Sequence, residues 1–431
     1  MFKAFRNAFK VPDLRNKILF MLFIIAVYRL GSHVPLPGVD MAKVAAQQAQ
    51  SQSGIATLVN LFSGGALTNF AVFALGITPY ITASIIMQLL AVVIPRLETL
   101  QKEGEVGRKK ITQYTRYMTV VLALLQSLGI IVTANSGLLF GSSGGSGIRD
   151  FFPNHSVGAI SLAVLTLTAG TSLIMWLGEL ITQRGVGNGM SLLIFAAIIS
   201  RLPSNSVSLW KSSGALKGSV FLGLGIAIVV AVVIVEQAQR RIPVQYAKRI
   251  VGRKTYGGAS TYLPMKVNQA GVIPIIFASS LLYLPVLAAT IITNASFKNF
   301  VDKHFARGQS IWYILIYFLL IIFFTYFYTA ITFNPEDVAD NMKKYGGFIP
   351  GIRPGRPTSD YLANILTRIT LPGAIFLGAI AILPFVAQRA WSVSAFPFAG
   401  TSVLIMVGVG LETMKQIESQ LMTRHYEGFL K

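Results

Sequence analysis

Ten stretches of roughly 20 mostly apolar residues recur along the chain, and a helix of that length crosses the hydrocarbon layer of a bilayer. They lie at Asn16–His33, Phe70–Ile94, Tyr114–Ala134, Val157–Leu180, Gly187–Pro203, Lys217–Val235, Ala270–Ile292, Ile311–Phe333, Ile369–Val386 and Phe398–Met414. The fifth is short and polar at its start. Only 12% of the 431 residues are charged while 53% are hydrophobic, against about 25% charged residues in soluble domains. That leaves too little polar surface to cover a water-facing globule of this size. The expected class is an all-α polytopic membrane protein.

Charge gives the sidedness. The apolar run after Lys3, Arg6, Lys10, Arg15 and Lys17 is followed by YRLGSHVPLPG, without a small-residue cleavage site, and reads as a retained anchor. Ten spans put both termini on one side, and 27 of the 37 Lys and Arg residues then fall on it. Cations gather on the cytoplasmic face of membrane proteins, so cytoplasmic termini are expected. No Asp, Glu, Lys or Arg lies near the middle of a span; Arg29, Glu179, Glu236 and Arg368 sit at span ends, where side chains can snorkel.

These absences narrow the chemistry. Ion-coupled carriers keep ionisable groups at mid-membrane. With no cysteine there is no thiolate site, and His33, His155, His304 and His425 are too far apart in sequence for a local ligand pair. Neither a metal nor a cofactor is expected. No phosphate-binding G-x-x-x-x-G-K-[ST] occurs, so energy must come from a partner or a gradient. Gly141–Gly147, GSSGGSG, formally contains G-x-S-x-G but reads as a flexible linker without the flanking strand and helix of a nucleophile elbow.

Some segments fit neither span nor simple loop. Ile55–Leu67 is apolar but about 20 Å long as a helix, too short to cross. It fits a surface helix or a re-entrant piece, and the latter requires a protein-lined cavity around it. The second and seventh spans each carry a Gly/Pro interruption, Gly76 with Pro79 and Gly271 with Pro274. Paired broken helices mark the functional centre of many transporters. Each is second in its group of five, which fits a five-plus-five repeat of opposite orientation. Two long basic cytoplasmic loops, 236–268 and 334–368, suit anionic lipid or, alternatively, an acidic partner or ribosomal RNA. On these features alone a channel and a secondary transporter both stand, and no nucleophile, base or metal constellation supports an enzyme.

FSGGAL at Phe62–Leu67, LGITPYITASI at Leu75–Ile85, QYTRY at Gln113–Tyr117, GVGNGM at Gly185–Met190, QYAKR at Gln245–Arg249, KVNQAGVIPIIFAS at Lys266–Ser279, GFIPGIRPG at Gly347–Gly355 and GTSVLI at Gly400–Ile405 span nearly the whole chain. Through these motifs the sequence resembles the SecY family of bacterial protein-conducting channels. The resemblance implies ten transmembrane helices in two inverted five-helix halves, 1–203 and 217–431, hinged at 204–216, with a re-entrant plug helix at 55–67. It implies a passive channel of the bacterial plasma membrane for unfolded secretory polypeptides bearing signal sequences. A lateral gate between spans 2 and 3 and spans 7 and 8 would release hydrophobic segments into the membrane lipids.

Carried over residue by residue, Ile81, Ile85, Met190, Ile194, Ile276 and Ile405 form the pore ring. Ile55, Leu58, Leu61, Phe62, Ser63, Gly64 and Gly65 belong to the plug, and Gln126 and Asn268 to the gate. Ala91 stands where the family often has Thr, which reduces the polar cluster expected there. Lys248, Arg249, Arg253, Lys254 and Arg353 would dock the SecA motor or the ribosome, and SecE and SecG subunits are implied as neighbours.

Overall fold

The computed structural model describes residues 9–40, 63–135, 156–246, 249–251, 254–256, 260–291, 295–301, 304, 310–391 and 400–427. Helices α1 (Pro12–Gly31), α2 (Thr78–Val93), α3 (Pro95–Lys102), α4 (Glu105–Asn135), α5 (Val157–Arg184) and α6 (Gly189–Gln237) come first. Strands β1 (Gln239–Tyr246), β2 (Arg249–Val251), β3 (Lys254–Tyr256) and β4 (Ser260–Lys266) follow. Then come α7 (Ile273–Ile291), α8 (Ala295–Val301), α9 (Ile311–Thr332), α10 (Pro335–Lys344), β5 (Gly347–Phe348), α11 (Arg356–Trp391) and α12 (Gly400–Glu427).

Six helical stretches among the described residues are long and apolar enough to cross a membrane: Glu105–Ile131, Val157–Arg184, Gly189–Val207, Gly218–Gln237, Ile311–Lys344 and Arg356–Leu383. The pair α2 and α3 meets the same test as one span bent by 102°. Helices α1, α7 and α12 occupy the remaining apolar stretches. The outer faces of the helices are greasy: Phe23 on α1, Trp176 on α5, Ile226 and Ile234 on α6 and Phe323 on α9 are exposed, as expected where lipid, no less apolar than the side chains themselves, is the neighbour.

Four expectations are corrected. The chain is not all-α, because β1 pairs antiparallel with β4 and with β5 in a small sheet. Ile242, Val244 and Met265 of that sheet pack on Met342, Ile349 and Leu362, a core separate from the helix bundle. The first third of the predicted second span is not helical: Gly64–Phe70 and Val72–Ile77 form turns, and helix begins only at Thr78. The fifth span, expected to end at Pro203, runs on as helix through 204–216 with one break, at Gly214 (φ 77°, ψ 162°). Lastly, the charges expected to snorkel at span ends are in three cases engaged inside the protein. Arg29 donates to the Gly64 carbonyl at 3.0 Å, Glu179 accepts from Arg116, and Glu236 accepts from Asn268.

Candidate functional site: an apolar waist between broken helices

Helices α2 and α7 start alike. Each begins two residues after a glycine with positive φ, Gly76 (58°) and Gly271 (63°), a conformation in which any Cβ is strained. Each has proline as its second residue, Pro79 and Pro274, where the missing N–H is an unpaired donor in any case. The side chains one and two turns later are Ile81 and Ile85 on α2 and Ile276 on α7.

Helix α6 is placed differently. Asn188 caps it, its side-chain oxygen accepting from the backbone N–H groups of Met190 (3.1 Å) and Ser191 (3.3 Å). Thr182 of α5 accepts from Gly189 N–H at 2.8 Å. A Cβ on Gly189 would collide with the Gly178 carbonyl, and one on Gly178 with Met190 Sδ. The glycines of GVGNGM thus let α6 start hard against α5, and Met190 and Ile194 are aimed from there. On α12, a Cβ at Gly400 would strike the Ile380 carbonyl of α11, so the same close approach sets the start of the helix that carries Ile405.

The six ring candidates converge. Met190, Ile194 and Ile405 are buried in one cluster against which Ile81 packs. Ile85, Ile276 and Phe277 form a second cluster, again with Ile81. Ile81 and Val272 belong to both and join them. Five of the six are at most 9% exposed, so apolar carbon fills this level of the molecule. Helix α7 packs against both α2 and α4 on one side and against α9 on the other, where Phe277 stacks on Phe324 at 5.1 Å. Among the described residues, the seam between α2/α4 and α7/α9 is therefore lined by aliphatic and aromatic side chains.

Polar anchors surround the waist. Arg116 on α4 grips Glu179 on α5 through two bonds of 2.7 and 2.6 Å, the paired geometry that makes guanidinium–carboxylate contacts strong. Arg201 on α6 donates to Thr68 at 2.8 Å, and Arg29 on α1 holds Gly64. A side chain at Gly65 would run into the Arg201 guanidinium. Neither arginine is a site candidate by sequence. The available signal was that both are cations on the cation-poor side.

Asn268 is buried. Its Nδ2 donates to Glu236 at 3.0 Å and to the Gly271 carbonyl at 3.2 Å, while its Oδ1 has no partner among the described residues. A buried polar atom left unpaired costs about 1–3 kcal/mol. Gln126 is half-buried on α4, and Ala91 is buried on α2. Of the plug candidates, Ile55, Leu58, Leu61 and Phe62 lie outside the described residues. Ser63 is fully buried, with Gly64 and Gly65 beside it.

Of the docking candidates, Lys248 and Arg253 lie outside the described residues. Arg249 starts β2 and Lys254 starts β3, which pair antiparallel at the tip of the hairpin. Arg353 is exposed, and its carbonyl accepts from Thr358 Oγ1 at 2.8 Å. The pairing of β1 with β5 joins the two basic loops into one surface, which their separation in sequence had hidden.

Residues 71–414 match the family model for SecY. A protein translocase subunit SecY of Streptomyces galbus is 57% identical over 442 residues, and that of Mycobacterium bovis 54% over 446, each match covering the whole of both chains. Among solved structures, one described as a protein conducting channel superposes with a TM-score of 0.65 at 18% identity, covering 94% of this chain and 91% of that one. Sec61 in a canine ribosome-channel complex from the endoplasmic reticulum gives 0.60 at 15%, with the same coverage.

Proposed function

The chain belongs to the SecY family, whose members are translocase channels and not enzymes, and from that premise we propose that it conducts unfolded polypeptides through the waist formed by Ile81, Ile85, Met190, Ile194, Ile276 and Ile405. The single observation that carries this reading is their convergence from four helices, α2, α6, α7 and α12, into one continuous apolar contact.

Physical chemistry makes such a waist suitable. A constriction of aliphatic side chains excludes water and ions by dewetting, yet offers no hydrogen bonds that would hold a passing backbone. The seam between α2/α4 and α7/α9 is the lateral gate. To part it, contacts such as Ile85 with Ile276 and Phe277 must be given up. A hydrophobic signal segment replaces them with apolar contacts of its own, so the exchange is nearly balanced, and a polar segment gains no such compensation. Discrimination follows from that difference. Gln126 and Asn268 add a polar bias at the gate, and Asn268 Oδ1, without a partner among the described residues, supports this reading because it leaves an acceptor in need of a donor. The segment 55–67 acts as the plug, anchored at its end by Arg29 and Arg201.

In this reading the two halves, 1–203 and 217–431, lie inverted in a bacterial plasma membrane with cytoplasmic termini, and 204–216 is the hinge. SecE and SecG accompany the chain. The SecA motor or the ribosome binds the joined basic surface through Lys248, Arg249, Arg253, Lys254 and Arg353 and supplies the driving force. The test is a photo-cross-linking side chain at position 81 or 276 in a translocase carrying a stalled precursor. Adducts to the precursor's mature region are expected at both positions, and adducts to lipid alone would refute the reading.

A further inference from the structure

Glu236 stands where a carboxylate is disfavoured, one residue before the end of α6, whose terminal carbonyls present partial negative charge. It is also the only acidic residue in 236–268, a segment with seven cations. Among the described residues none of those cations pairs with it; its partner is the side-chain amide of Asn268. Both groups facing Asn268 Nδ2, the Glu236 carboxylate and the Gly271 carbonyl, accept and cannot donate, so the orientation of the amide is fixed. The backbone supports the same juxtaposition. Val267 N–H donates to the Ala238 carbonyl at 3.0 Å, and the β1/β4 ladder begins immediately beyond, at Gln239 opposite Lys266. The base of the hairpin therefore brings Glu236 to Asn268, and Asn268 in turn holds the turn at Gly271 from which α7 starts.

We propose that Glu236 is a positioning residue of the gate: through its hydrogen bond to Asn268 it ties the base of the cytoplasmic hairpin to the first turn of α7, so that movement of a partner-bound hairpin is passed to the gate. The inference rests on the gate reading given above. Its test exchanges donor and acceptor. Glu236→Ala removes the acceptor, Glu236→Gln keeps one, Asn268→Asp sets two carboxylates against each other, and Glu236→Gln with Asn268→Asp restores a donor–acceptor pair in reverse.

The readout is export of a precursor with a defective signal sequence by the complete translocase in cells, at equal membrane levels of each variant. Loss of a hydrogen bond to a charged group should raise that export about tenfold in Glu236→Ala and in Asn268→Asp. Glu236→Gln should stay near wild type, and the double variant should fall well below Asn268→Asp alone. Wild-type stringency in Glu236→Ala, or a double variant no better than Asn268→Asp, overturns the proposal. A thiol bridge between α2 and α7, made in the same background, separates the two levels. If bridging stops export and Glu236→Ala is silent, only the role of Glu236 fails. If bridging leaves export intact, the gate reading fails and this inference with it.

Discussion

Helices α2 and α7 share a start, glycine at positive φ followed three residues later by proline, but the chain reaches them through opposite kinds of structure. Before α2, residues 63–77 are mostly buried turns. They are tied to the segment after α1, where Leu36 N–H donates to Phe70 O and Val72 N–H to Val34 O, and are held by Arg29 and Arg201. Before α7 the chain descends from a hairpin whose described residues in β1 and β4 are largely exposed, and passes one buried asparagine. The same break is thus fed on one side by a packed anchor and on the other by a pair of largely exposed strands. In the proposed topology these are the outer and the cytoplasmic approaches to one waist. If the seam is the gate proposed above, the difference teaches that its two walls have separate duties: one is fastened, the other is open to control.

The largest effect should come from joining the walls. Cysteines replacing Leu89 and Ile273, both packed on the cluster between α2 and α7, bridged by a short bifunctional thiol reagent, should abolish export. The natural chain has no cysteine to confuse the result. Export that continues after complete bridging would mean the seam need not part. Next, Arg353→Glu reverses a charge on the second basic loop, which β5 joins to the hairpin, and should lower partner-driven export roughly tenfold while membrane accumulation is unchanged, as for a lost contact in a charged interface. Undiminished SecA-driven export would remove Arg353 from the docking surface.

If the two helix starts are equivalent at the waist, Ile85→Asn and Ile276→Asn should act alike, each disfavouring the closed state by about 2 kcal/mol through a buried amide without partners. Both should relax signal-sequence stringency; an effect from one alone would break the symmetry. The smallest change is expected from Arg201→Ala, which removes the Thr68 bond and the guanidinium against Gly65 and should cost about 1–2 kcal/mol of stability. Thermal unfolding in detergent measures it. A loss no larger than that of Lys211→Ala would show that the approach to α2 is not fastened there.

How much of this was legible beforehand depends on how local the signal is. The greasy runs that became α1, α5 and α9 could be read directly, because crossing lipid demands uninterrupted apolar length. The paired Gly/Pro breaks were visible for the same reason, since both residues act on the backbone where they stand. The waist isoleucines were named only through family resemblance, because an isoleucine on a membrane helix looks the same facing lipid as facing a pore. The sheet is hidden in the sequence because its short alternating strands, such as IPVQY, lie inside loops whose most evident feature is basic charge. Arg29, Glu179 and Glu236 read as snorkelling groups in the sequence, because their partners Gly64, Arg116 and Asn268 are 32 to 63 residues away.

By itself, then, the sequence determined a lipid-embedded helical chain, its basic face and the places where two helices break, since each follows from length, charge or the backbone chemistry of a few adjacent residues. The tertiary structure alone decided that Ile81 bridges two clusters into one waist, that two distant basic loops share a sheet, and that half-buried charges hold the approaches to it. These depend on close contacts between remote segments, at Gly178 with Gly189 and at Glu236 with Asn268, and no local pattern encodes which remote residue will be the neighbour.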